Sequence, residues 1–413
     1  MLRSNEAVSR TAQCITDSVG TQDPIRSKRN SGNRLASGVL ALSLTLFGCA
    51  TVMVANRPRA PLSGSEAQGQ QIFRYDTFGD EQKWTDQLRL QEIVDSKVTP
   101  PQALALGLKV DVDRLNFFKF LFANPLAPSG TRELLRQDAV VGLQATFGPN
   151  GHIQRLGVTC ALCHSTVDNS MLSGIGHRLD GWPNRSLDVG KVIALSPMIT
   201  PQQRAVYLSW GKGRYDPRFN FDGKNTPLEI PPAYGLAAVK NETYTAEGPI
   251  SYCNDYVAVT QMGSHGDFDD PRLGIHIHQS PDLVAAKLPA LRDYQHSLPA
   301  PRVAVANGAA AARGQQVFAA NCQGCHVAGS NTDNNAGVLH QPAETGMDAA
   351  YAARTTSKAY RTTPLRGLRF HAPYFHDGSA PTLAAVVDHY DRVRGLRLAA
   401  AQKSDLIAYL KTL

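Results

Sequence analysis

The chain has 413 residues, 42% of them apolar, with 42 Lys and Arg against 35 Asp and Glu. That length suits two or three domains with substantial cores. The formal charge of +7 does not mark a nucleic-acid surface, because residues 1–48 hold six basic residues against three acidic ones, leaving 36 against 32 with no Lys/Arg-rich stripe.

In chain order, basic residues up to Arg34 precede the apolar run GVLALSLTLF (Gly38–Phe47). Its length is that of a signal-peptide core and not of a membrane span. Residues 1–49 are therefore read as an export signal that sends the chain to the periplasm. The run ends in LFGC (Leu46–Cys49), which resembles the lipobox of bacterial lipoproteins. That resemblance implies a lipidated Cys49 and membrane attachment. An ordinary cleaved signal and an uncleaved anchor reaching Val54 are the alternatives.

Residues 50–300 are expected to form an N-terminal module. AQGQQIF (Ala67–Phe73) echoes ARGQQVF (Ala312–Phe318) and reads as a leading helix with a long insertion before Cys160, with a chance likeness over seven residues as the alternative. Trp84 to Asn150 reads as amphipathic helices, among them LNFFKFLF (Leu115–Phe122), whose aromatics are assigned to the core. Ser165 to Gln295 is rich in Gly, Pro, Asn and Asp, and long irregular segments of this kind often frame a cofactor. The Ala/Pro-rich stretch Ser297–Ala312 then marks a boundary, and residues 301–413 form a second module. Its helix ARGQQVFAAN runs into CQGCH. Its last segment, SDLIAYLKTL, reads as a helix with Ser404 as N-cap and Leu406, Ile407, Leu410 and Leu413 on one face.

Four of the seven cysteines lie in two pentads, CALCH (Cys160–His164) and CQGCH (Cys322–His326). Cys14 leaves with the signal, Cys49 is lipidated or removed, and Cys253 stands alone, so no disulfide framework can be drawn. A CxxCH pentad is the attachment site of c-type haem. Cysteines at i and i+3 share one helical turn and reach both vinyl groups of one porphyrin. The histidine that follows stands under the iron. Structural zinc wants four Cys/His ligands per site, which this chain cannot supply twice. A thioredoxin-like pair needs no histidine and comes in a βαβ context that is missing here. Two covalent haem c groups are expected, with Cys160, Cys163, His164 and Cys322, Cys325, His326 holding them. The expected fold is mainly α, two cytochrome c-like helical modules packed around two covalent haems, with long irregular loops.

TTPLRGLRFHAPYFHDGSAPTLAAVVDHY (Thr362–Tyr390) resembles the signature of bacterial di-haem cytochrome c peroxidases and the methylamine-utilisation di-haem enzymes: TPxLRN, then APYxHDG, then TLxxVVxxY. The resemblance covers roughly residues 308–413. It implies that Tyr390 is the sixth ligand of the second haem, where the peroxidases carry methionine and the methylamine-utilisation enzyme tyrosine. A thioether raises haem potential, whereas a phenolic oxygen favours ferric iron. His389 and Met347 are the alternatives, and His376 is implied to order the pocket.

Over the first module the likeness is thinner. GIGHRLDGWPNRSLDVG (Gly174–Gly190) is similar to the peroxidase segment that carries a detachable ligand, which maps onto His177; Met171, Met198 and Met262 are alternatives. The resemblance also implies a calcium ion at Asn184, His371 and Pro373, and electron conduits at Trp182 and Trp210. The pattern fails in one place: FNFDGKN (Phe219–Asn225) lacks the expected distal acid, with Glu229, Glu242 and Glu247 only in the neighbourhood. A peroxidase without that acid loses its proton donor, so no catalytic residue is assigned. WGKGRYDPRFNFDG (Trp210–Gly223) is similar to the rubber-oxygenase branch, which binds dioxygen. Three functions compete: a peroxidase-family oxidoreductase with one reactive and one electron-transfer haem, a plain electron-transfer cytochrome, and an oxygenase. The partners implied are small electron-donor or electron-acceptor redox proteins.

Overall fold

Ser63 opens the first helix, Gly64–Tyr75, by accepting the Glu66 N–H at 3.2 Å while the Glu66 carboxylate accepts the Ser63 N–H at 2.7 Å. The computed structural model describes residues 61–302 and 308–413. The export signal, with Cys14, Cys49 and the run Gly38–Phe47, lies outside them, as does the middle of the Ser297–Ala312 stretch.

The Gly64–Tyr75 helix crosses the helix Leu288–Ser297. The crossing is so close that a Cβ on Gly69 would fall 1.9 Å from the Ala290 carbonyl oxygen. Glycine is required there because it alone lets the backbones touch. Phe73, fully buried, meets Tyr294 edge to face at 5.6 Å. The second half repeats this unit. Helix Gly308–Asn321 crosses helix Ala400–Leu410, a Cβ on Gly314 would fall 1.9 Å from the Asp405 carbonyl oxygen, and Phe318 meets Tyr409 at 5.2 Å. The echo between residues 67–73 and 312–318 is thus a structural repeat. It extends further: Gly235 N donates to Leu298 O at 2.8 Å, and Gly367 N to Leu413 O at 2.7 Å.

Between the helices of the first pair lies the long insertion. It holds the helices Leu90–Lys97, Pro100–Ala105, Phe117–Phe122 and Pro128–Arg136, and an antiparallel hairpin pairing Leu143–Phe147 with Ile153–Val158. The hairpin delivers the chain to Cys160. Buried Asp80 accepts the Val158 N–H at 3.2 Å and the Trp84 Nε1–H at 3.1 Å, while the Thr159 hydroxyl donates to Arg74 O at 3.1 Å. The pentad is thereby fastened to the leading helix. The described residues form only two-stranded sheets, and the protein is mainly helical with long irregular loops.

The described residues fall in one compact unit. Within it, one apolar cluster is centred on Phe73, Leu135, Leu187, Ile230 and Tyr294, and a second on Phe318, Leu368, Leu383, Val387 and Leu406. A third joins Leu228 to Tyr351 and Tyr360. Beside it, Arg354 spans the two halves. Its guanidinium reaches Asp216 at 2.7 and 3.0 Å and Asp222 at 2.7 and 2.8 Å.

Two expectations are corrected. Ser404 is not an N-cap: the last helix begins four residues earlier, with the Ala399 N–H donating to the Gln402 side chain at 2.9 Å, because Ala399–Gln402 propagates helix well. The aromatics of LNFFKFLF are not core either. Only Leu115 and Phe120 pack against it, and the helix Phe117–Phe122 buries no residue, because consecutive residues on a 3.6-residue turn cannot all face one side.

Candidate haem-binding site

Both pentads open onto one cavity of about 530 Å³, with Cys160, Cys163, His164, Cys322, Cys325 and His326 all in its wall. Cys160 to His164 form a single turn that stands on the leading helix of the first pair. Burial, the largest influence on each, pushes the Cys160 and Cys163 thiols up to about 12 and Cys322 to about 11. These thiols are held protonated in an apolar wall, which suits covalent capture of a vinyl group better than metal binding, where the thiolate is the ligand.

The histidines carry the clearest signal. His164 Nδ1 lies 3.0 Å from Pro231 O, and His326 Nδ1 lies 3.1 Å from Asn331 O. A ring nitrogen that donates to a carbonyl fixes the tautomer and leaves Nε2 with its lone pair free, which is how iron-ligating histidines are oriented. Burial pushes His164 down to about 4 and lowers His326, so both rings are neutral near pH 7. Charged groups in the wall also fit a porphyrin. Arg185 Nε and Arg361 Nη1 are buried without hydrogen-bond partners. Two unmet guanidinium donors suit the propionates of a haem. The residues present therefore fit covalent haem at both places.

Near the second pentad, Tyr390 lines the cavity and His389 does not. His389 Nε2 instead meets Thr345 O at 2.9 Å. Burial, with the two haem cysteines nearby, pushes the Tyr390 phenol up to about 12. Met347 lines the cavity as well. His376 lines the cavity: it is buried, meets Tyr360 OH at 3.0 Å, and its carbonyl accepts the Glu229 N–H at 2.8 Å.

On the first module's side, His177 is absent from the cavity wall; its ring is 58% exposed and lies 2.8 Å from Asp113. Just before it, Ile175–Gly176 pair with Val110–Asp111, and the His177 N–H donates to Asp168 Oδ1 at 2.9 Å. Met171 and Met198 are exposed, whereas Met262 is buried and lines the cavity. Of the calcium candidates, Asn184 donates to Gly107 O at 3.0 Å, and the His371 carbonyl accepts from Arg185 at 3.2 Å; Pro373 stands in the wall. Trp182 packs between Tyr234 at 5.7 Å and Phe370 at 5.0 Å, one from each half of the chain. Trp210 lies in an aromatic group with Tyr207 and Phe219.

All three neighbouring glutamates line the cavity. Glu229 is paired with Arg185 and Glu247 with Arg218, but the Glu242 Oε1 atom is buried without a partner. Burial pushes the Glu242 carboxyl up to about 7, despite Arg361 and Arg366. The sequence reading missed Arg185, Arg361 and the hydrogen bond from Tyr234 OH to His371 Nε2 at 2.8 Å. Setting PPAYGL (Pro231–Leu236) beside TPLRGL (Thr363–Leu368) was the available clue to this part of the wall.

Residues 359–396 match a family model described as RoxA-like, cytochrome c-like. The methylamine utilization protein MauG of Methylorubrum extorquens is 27% identical over 323 residues, covering 70% of this chain and 80% of that one. MauG of Methylophilus methylotrophus is 31% identical over 121 residues, or 25% of this chain and 36% of that one. The cytochrome-c peroxidase IdrP1 of a Pseudomonas species (strain SCT) is 42% identical over 65 residues, or 13% and 17%. The chain is thus similar to proteins of the di-haem cytochrome c peroxidase/MauG kind. Those likenesses support haem c and a redox function.

Proposed function

We propose that this protein is an exported oxidoreductase carrying two haem c groups, one reactive and one for electron transfer, that exchanges electrons with small redox proteins. The observation that carries this reading is the asymmetry of the cavity. Near the second pentad the phenol of Tyr390 lines the cavity, with Cys322 and Cys325 close by. On the first side, among the described residues of the N-terminal half, no histidine but His164 lines the cavity. Haem bound there would supply a redox-active iron with an exchangeable position. His164, its Nδ1 held by Pro231 O, is the residue that would hold that iron. Glu242, protonated up to about pH 7, is the residue best placed to hold a proton for the reaction. Arg185 supplies a positive charge at the His371 carbonyl. Trp182, between Tyr234 and Phe370, lies where an electron would cross between the halves.

The favoured oxidant is hydrogen peroxide, following the peroxidase resemblance. Dioxygen is the second reading, favoured by the RoxA-like match over residues 359–396. Visible and EPR spectra of the holoprotein, with and without each oxidant, test both. Two pyridine haemochrome equivalents and one high-spin ferric signal that responds to peroxide are expected. Two low-spin signals indifferent to peroxide and dioxygen alike would leave a plain electron-transfer protein, with Met262 the first residue to examine as a ligand.

A further inference from the structure

The short helix Phe117–Phe122 and the turn after it expose Phe117, Phe118, Leu121, Phe122 and Leu126 by between 50% and 86%. Met171 and Leu172 add 50% and 64% from a second segment. The two segments are neighbours. Ile175 pairs with Val110 just ahead of the helix, and Ile175, Phe120 and Leu126 line one apolar cavity of about 200 Å³ beneath it. Single exposed apolar residues are ordinary, but a contiguous group of this kind marks a contact surface.

We propose that this face docks on a lipid bilayer. The patch has little to offer a directional protein partner, because its polar groups are already used. Asn116 caps Lys119 N at 3.1 Å, Asn124 Oδ1 accepts Leu126 N at 3.1 Å, and the Ser129 hydroxyl donates to Ala123 O at 2.6 Å. A protein interface needs such groups at its rim; hydrocarbon needs none. The single charged side chain of the helix, Lys119, is exposed and carries an apolar stem, so it can lie along the Phe side chains with its ammonium among headgroups. The sequence adds a tether. Cys49 stands 12 residues ahead of Pro61, a span of at most about 40 Å, so an anchor formed at Cys49 would keep this body close to a bilayer. That last argument rests on the export reading above, whereas the exposure of the patch does not.

The test is hydrogen exchange of the full-length holoprotein, with and without vesicles of phosphatidylethanolamine and phosphatidylglycerol, alongside labelling by a photoreactive lipid. Peptides covering residues 115–127 and 170–173 should exchange several-fold more slowly with vesicles and carry the lipid label. In the double variant Phe118→Ser, Phe122→Ser the protection and the label should both fall at least tenfold, with the haem spectrum unchanged, even where an anchored amino terminus still holds the protein on the vesicle. Protection independent of vesicles overturns the proposal: if it rises with protein concentration a second copy covers the face, and if it does not the chain covers itself. Equal exchange with and without vesicles overturns it also.

Discussion

Gly69 and Gly314 hold the same place in two copies of one helix crossing, each with a carbonyl oxygen 1.9 Å from where its Cβ would lie. Gly314→Ala must therefore push apart the helices Gly308–Asn321 and Ala400–Leu410. Overpacking against backbone costs about 3 kcal/mol, and the C-terminal pentad is carried by the first of these helices. Chemical denaturation should show that loss, with the spectrum of the haem on Cys322 and Cys325 changing first. Gly64→Ala, with nothing within 4 Å, is the matched control and should change stability by less than about 0.5 kcal/mol.

Arg354 joins the halves through side chains that are almost wholly buried, 1% exposed against 0% for Asp216. Arg354→Ala leaves Asp216 buried without its partner, which costs about 3–5 kcal/mol. Arg354→Lys keeps the charge but loses the fork that serves Asp216 and Asp222 together, and should recover less than half of the deficit. Urea titration of the three proteins reads this directly. A loss below about 1 kcal/mol for Arg354→Ala would show that the contact behaves as an exposed pair.

Tyr390 and His389 are adjacent in sequence, yet only the phenol faces the cavity. Tyr390→Phe should change the spectrum and potential of one haem and leave the other unaltered. Tyr390→Met should raise that potential, since a thioether favours ferrous iron. His389→Ala should leave both spectra as they are. Spectroelectrochemistry decides, and a shift on His389→Ala alone would reverse the assignment.

Glu242 should make stability depend on pH with a definite sign. Burial raises its folded value from 4.5 to about 7. Between those values the folded protein binds more protons than the unfolded chain. The contribution is thus fully present below pH 4.5 and is lost as pH rises through about 7. It amounts to at most about 3 kcal/mol. Glu242→Gln should flatten this part of the pH–stability curve. If the site needs a proton from Glu242, the variant should also slow the reaction with peroxide below pH 7 while the haem content stays at two.

The two pentads and the segment Thr362–Tyr390 were legible in the sequence because covalent haem chemistry demands fixed residues at fixed local spacing. The mainly helical character was legible for a similar reason, since periodicity is local. Tertiary structure decided the rest. Whether His177 or Met262 faces the first pentad depends on which way a turn is held by Asp113 and Val110, about 65 residues earlier in the chain. The seven-residue echo became a repeated helix crossing only when Ala290 and Asp405 came within touching distance of the two glycines. LNFFKFLF reads as core by composition, but its exposure depends on how much of a six-residue helix the neighbouring Pro128–Arg136 helix can cover. Spacing along the chain determines which chemistry a segment can perform. Long-range packing determines what that chemistry faces, because burial and charge are properties of neighbours that sequence distance does not encode.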